Sequence, residues 1–132
     1  MALTDEQKQF LADHDLAVLG TGKRDGSPQL STVYYDWDGE RVYISVTSDR
    51  AKWKNAMRQP AVSLLVPDGR KQLVVYGTAE GITDPDERDE RVVALRARRG
   101  VEVTDRAALR REQDEANRVI LAIRPERAFK ND

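Results

Sequence analysis

The chain has no cysteine, which removes disulfides, thiolate nucleophiles and cysteine-bound zinc together and makes a reducing cytoplasm the simplest setting. It has one histidine, His14, so imidazole metal clusters are excluded and no Ser-His-Asp arrangement can be drawn. No apolar run approaches the ~20 residues that cross a bilayer. The opening MALTDEQKQF is polar and acidic rather than basic and then apolar, so the expectation is a soluble, unexported protein. An excess of one charge is also missing. Lys and Arg number 22 against 23 Asp and Glu, so no global field points to nucleic acid or a membrane surface, and any anion site must be local.

What is present fits one domain over residues 1–132, large enough to bury about two thirds of its unfolded surface. Thr4 with Gln7 three residues later is a capping box and opens a helix through about residue 13. LAVLGTG is a buried-type strand, and QLSTVYYDW, after the Asp25-Gly26 turn, alternates as a second. Asp38-Gly39 then signals a hairpin, with ERVYISVT as the return strand, so these second and third strands are expected to pair. Residues 48–58 switch to helix and stop at Gln59-Pro60. AVSLLVP, the Asp68-Gly69 turn and KQLVVYGTAEGIT follow, with Gly77 and Gly81 as bulges or bends. Short strands joined by tight turns predict a mainly β protein, an antiparallel sheet curling into a barrel.

Residues 84–118 are dense in charge of alternating sign, which reads as a solvated helical face rather than a binding tail. Asp84-Pro85 starts one helix, Arg98-Arg99-Gly100 ends it, and a second is expected over about 104–117. RVILAIRP closes the sheet.

Most candidate motifs have plain readings. GTGKRDG does not open directly into a helix, as a phosphate loop must, so it is a hairpin loop. His14 reads as structural, and Asp36 and Asp38 as turn residues. The basic stretch in SVTSDRAKWKN differs. A strand ending in Thr47 and Ser48 turns into a helix whose first amides lack internal partners. Arg50 offers a bidentate fork and Lys52 a point charge, which suits a phosphate monoester. Cations at a helix start oppose the dipole by a few tenths of a kcal/mol each, and this conflict points to a bound anion. The plain alternative is a solvated face with Trp53 and Met57 packed inward.

These residues carry a resemblance. The chain resembles the pyridoxamine 5'-phosphate oxidase-like split β-barrel superfamily, and within it the flavin/deazaflavin oxidoreductases of the B group from actinobacteria. LAVLGTGKRDGSPQLSTVYYDWDGERVYISV is similar to the first three strands, DRAKWKNAMRQPAVSLLV to the cofactor helix and fourth strand, and RVILAIRPERAF to the last strand. The resemblance implies a homodimer with two cofactor sites at its interface. Arg50 and Lys52 would grip the cofactor phosphate beside Thr47 and Ser48, and Asn55 would steady the helix. Gln29, Leu30, Ser31, Thr32 and Val33 would lie along the ring, with Gln72 and Tyr76 coming from the partner. Tyr76 has an equal reading as a packed strand aromatic. Arg124 and Arg127 would meet an anionic tail or stand as plain surface residues. The helix asparagine, often followed by Leu in the family, is followed here by Ala56.

The implied cofactor is coenzyme F420, with FMN as the alternative. F420 carries a carboxylate-bearing tail beyond its phosphate, for which Lys54, Arg58, Arg70 and Lys71 would provide a groove. The implied activity is hydride transfer from reduced deazaflavin to a conjugated, electron-poor quinone, enone or tetrapyrrole, with solvent completing the reduction because no side chain stands out as proton donor. The terminal arginine motif of pyridoxamine oxidases is absent. Two other classes stay open: a non-catalytic flavin- or haem-binding module on the same barrel, and an interaction protein built on residues 84–118.

Overall fold

Alternating apolar residues build one antiparallel sheet. The computed structural model describes residues 3–131. Along them run α1 (Asp5–Asp13), β1 (Leu16–Gly22), β2 (Pro28–Tyr34), β3 (Asp36–Trp37), β4 (Val42–Thr47), α2 (Ala51–Arg58), β5 (Ala61–Asp68), β6 (Lys71–Ile82), α3 (Pro85–Arg98), α4 (Arg106–Glu115) and β7 (Arg118–Asn131). The strand order is β2-β1-β5-β6-β7-β4-β3, and β2, at one edge, curls back against β4. The result is a split antiparallel barrel with flanking helices.

Alternation divides the side chains between two cores. Leu19, Ile44, Val46, Leu64, Val75 and Leu121 point inward with Leu11 of α1 and Ala56 of α2. On the opposite face of β4 and β7, Tyr43, Ile120 and Ala122 meet Val92, Leu95 and Leu109 of α3 and α4. Burying such side chains contributes about 1.5–3 kcal/mol each, so α3 and α4 are held on by packing as well as charge.

The helix signals hold. Thr4 forms the capping box with Gln7, Asp84 caps α3 and Asp105 caps α4. Two expectations are corrected at their edges. The segment expected to be helical from 48 begins at Ala51, because the Ser48 amide donates to Asn117 O and the Arg50 amide to Thr47 O in a tight turn. α4 likewise occupies only Arg106–Glu115, and Asn117 beyond it takes a left-handed φ of 54°.

A third correction concerns pairing. QLSTVYYDW is not one strand returning on ERVYISVT. It breaks at Tyr35: β2 pairs with β1, and only Asp36–Trp37 pairs with β4 through the Asp38-Gly39 turn. The break has a local cause, since Tyr35 is 1% exposed, its amide bonds Asp15 O and its hydroxyl donates to Leu11 O at 2.8 Å.

Of the two glycines expected to bend β6, Gly77 sits at a register shift, and a Cβ there would lie 2.5 Å from the Arg124 carbonyl oxygen. Gly81 serves a different purpose. A Cβ at Gly81 would lie 2.5 Å from Trp53 Cη2, so this glycine is the seat on which α2 rests.

Candidate functional site

The corner at which β4 hands over to α2 has unspent donors. The N-cap, Arg50, provides no side-chain cap, and the first turn of α2 holds no acid. Arg50, Lys52 and Lys54 belong to none of the ion pairs among the described residues. Thr47 Oγ1 is buried and has no hydrogen-bond partner, an uncommon state that calls for a ligand or water. Asp49, exposed on the turn, is the adjoining carboxylate.

α2 is fixed to the barrel by Asn55, which is 7% exposed. Its Nδ2 donates to Gln29 Oε1 at 2.9 Å and to Thr21 Oγ1 at 3.3 Å. Its Oδ1 accepts from Arg58, which also donates to Gly22 O at 2.7 Å. One amide therefore ties helix, β1 and β2 together, and beneath it Ala56 is fully buried in the core.

Two clefts follow β2 on either side of α2. One, of about 370 Å³, brings Thr32, Val33 and Lys52 together with Ser45 and residues of α3, α4 and β7. The other, of about 630 Å³, brings Gln29, Leu30 and Asn55 together with Lys23, Arg24, Lys54 and Arg58. The site residues expected along β2 are thus split between two concave surfaces, with α2 between them.

A model of the pyridoxamine 5'-phosphate oxidase family matches residues 3–132. The chain belongs to this family. Among solved structures it is similar to an F420 reductase at 28% identity and a TM-score of 0.77, covering 96% of this chain and 98% of that one. It is similar to a conserved hypothetical protein of Mycobacterium tuberculosis at 25% identity and a TM-score of 0.84, covering 100% of this chain and 86% of that one. A likeness to a FAD-binding protein of Mesorhizobium loti, at 21% identity and a TM-score of 0.70 over 97% of this chain and 94% of that one, is one of fold alone.

In this member of the oxidase family, Gln72 and Tyr76 line neither cleft. Tyr76 stands on the outer sheet face, 37% exposed, edge-on to Phe129 and beneath the Arg127 guanidinium. Register places Leu30, Gly20, Ser63, Tyr76 and Arg127 in one row across that face. Leu30, Tyr34 and Phe129 are also exposed there. Ser31 faces inward opposite Leu19, and Ser48 spends its amide on Asn117. Arg70 and Lys71 lie at the β5–β6 turn, away from both clefts, and Arg124 is 3.7 Å from Glu40.

The plain readings of Asp38 and His14 agree with the geometry, whereas Asp36, expected in the turn, lies in β3, 3.7 Å from Arg98. Asp38 accepts from the Glu40 and Arg41 amides and the Tyr43 hydroxyl. Burial pushes its carboxyl up, but these donors outweigh it and hold the group below the usual carboxylate range. His14 bonds Phe10 O through Nδ1 at 2.7 Å, and its Nε2 lies 3.2 Å from Asp68, a neighbour that sequence distance concealed. No group of three or more His, Cys, Asp or Glu among the described residues is arranged to hold a metal. Nor is any helix there long and apolar enough to cross a membrane.

Sequence reasoning missed Tyr34, Arg96, Arg99, Gln113 and Arg118, which wall the smaller cleft. The available signal was Arg98-Arg99-Gly100, which was legible only as a helix end.

Proposed function

We propose that the chain is an F420-dependent reductase, working as a homodimer through the apolar outer face of its sheet. The observation that carries this reading is the set of unpaired cations, Arg50 and Lys52, at an uncapped helix start beside the unpartnered Thr47 hydroxyl. Together they supply a fork, a point charge, a neutral donor and first-turn amides, which suits a phosphate monoester.

The chemistry that reduced F420 supplies when bound is hydride donation to a conjugated, electron-poor acceptor. The protein's part is anchorage and positioning. Arg50 and Lys52 fix the phosphate, Asn55 holds α2 against β1 and β2, and the β2 residues Thr32 and Val33 border the cleft in which the ring would lie. Fixing both partners in this way removes much of the entropic cost of their encounter. Tyr76, in the outer-face row, and Gln72, four residues back along β6, would be the residues with which a second copy reaches the cleft.

The larger cleft favours F420 over FMN. FMN ends at its phosphate and would leave Lys23, Arg24 and Lys54 without a counter-charge, whereas the acidic tail of F420 would meet them. The similarity to an F420 reductase supports the same choice.

Titration of F420 followed by its fluorescence tests the proposal. Arg50→Ala with Lys52→Ala should weaken binding by about 100-fold or more, since each charged hydrogen bond contributes about 1.5–3 kcal/mol. Unchanged affinity would sink the assignment. The visible spectrum of the purified protein separates the rivals: flavin gives a yellow preparation and haem a Soret band.

A further inference from the structure

The wall of the smaller cleft opposite β2 has a chemistry of its own. Arg96 of α3, Arg99 at the C-terminal cap of that helix and Arg118 of β7 line it with a single carboxylate, Glu112. Arg96 is held by Glu112 at 2.5 Å. Arg99 is exposed and its Cζ lies over the Tyr34 ring, 3.9 Å from the centroid, which orients a guanidinium without neutralising it. Arg118 belongs to no ion pair among the described residues. The same cleft is lined by Gln113, 4% exposed, whose Oε1 is buried without a partner. Leu16, Val92 and Leu95 supply an apolar floor.

We propose that this wall is a carboxylate-recognition site for the hydride acceptor, so that the preferred substrates are planar conjugated acids carrying an N–H or O–H donor. The inference rests on reading the cleft as the hydride-transfer site. Arg99 and Arg118 take the carboxylate, the floor takes the conjugated plane, and Gln113 Oε1 accepts from the donor. Thr32 and Val33 line the same cleft, so an acid held by the arginines lies against the strand assigned to the cofactor ring.

Calorimetry with 6-hydroxyanthraquinone-2-carboxylate and its neutral carboxamide, which share the hydroxyl donor, on the cofactor-loaded and the cofactor-free protein, tests this at fixed ionic strength. The carboxylate should bind about tenfold or more tightly than the amide, as expected for a charge-assisted bond. The double variant Arg99→Gln, Arg118→Gln should erase that preference, while Arg111→Gln, outside the cleft, should keep it. Equal binding of acid and amide by the unaltered protein would overturn the proposal. So would a double variant that weakens F420 but not F420 stripped of its glutamate tail, because the arginines would then serve the cofactor. Failure of F420 to bind at all would refute the function proposed above and leave the cofactor-free comparison to decide this one.

Discussion

In the α3–α4 pair almost every arginine has an acid beside it, whereas in α2 the cations have none. Arg88 donates to Asp89 at 2.9 Å and lies 2.9 Å from Asp114 as a charge contact. Arg110 reaches Asp89 and Asp86, and Arg106 reaches Glu90. Both helices there have carboxylate caps. The start of α2 has neither cap nor counter-ion. Density of charge therefore does not mark a site in this chain. What distinguishes the site proposed above is charge without an internal partner at a helix start, and the α3–α4 network reads as a means of holding two helices on a sheet.

The largest effect that would sharpen this contrast is expected from Asp89→Ala. It takes from buried Arg88 one of its two acids, leaving Asp114, and from Arg110 one of two, leaving Asp86, and should cost about 3 kcal/mol in chemical denaturation. A loss below 1 kcal/mol would mean that the network is ornamental. Gly81→Val, which drives a side chain into Trp53, should cost about 1–3 kcal/mol as overpacking and weaken F420 binding as well, because α2 would leave its seat. Loss of stability without loss of binding would detach the helix from the site.

Acid should act on one region and spare the other. Burial pushes the Asp89 carboxyl up, but the bonds from Arg110 and Arg88 prevail and hold it below the usual range. Its stabilising contribution is therefore complete above about pH 4, the ordinary value for Asp, and is lost as pH falls through the lower folded value. Near-ultraviolet circular dichroism should show Tyr43, under α3, loosening as that window is crossed. The smallest effect is expected from Arg50→Ala, whose stability should stay within about 0.5 kcal/mol of the parent, since it removes only a cation opposed to a helix dipole. A marked loss would show that Arg50 has a structural partner.

Local signals were legible in the sequence, and contacts between distant segments were not. Thr4, Asp84, Asp38-Gly39 and Gln59-Pro60 each act over four residues or fewer, and each reads correctly. The break at Tyr35 was hidden because its causes, Leu11 and Asp15, belong to the α1 end. The same end is closed by Arg98 of α3, which donates to Leu11 O, Ala12 O and His14 O. The basic corner was visible as a run of cations, but the bonding of Asn55 to Thr21 and Gln29 depends on the fold. The arginine wall joins α3 to β7 across a turn and another helix, and no spacing rule reaches that far.

β4 and β7 are packed on both faces, by Ile44 and Leu121 on one side and Tyr43 and Ile120 on the other. Their amides should be the slowest in the molecule to exchange with deuterium. Thr47 hangs from the end of that stiff ribbon, while β2 across the gap is an outermost strand with one neighbour. The mouth of the smaller cleft therefore has one stiff jaw and one freer one, so that a ligand too bulky for it would be admitted by movement of β2 alone.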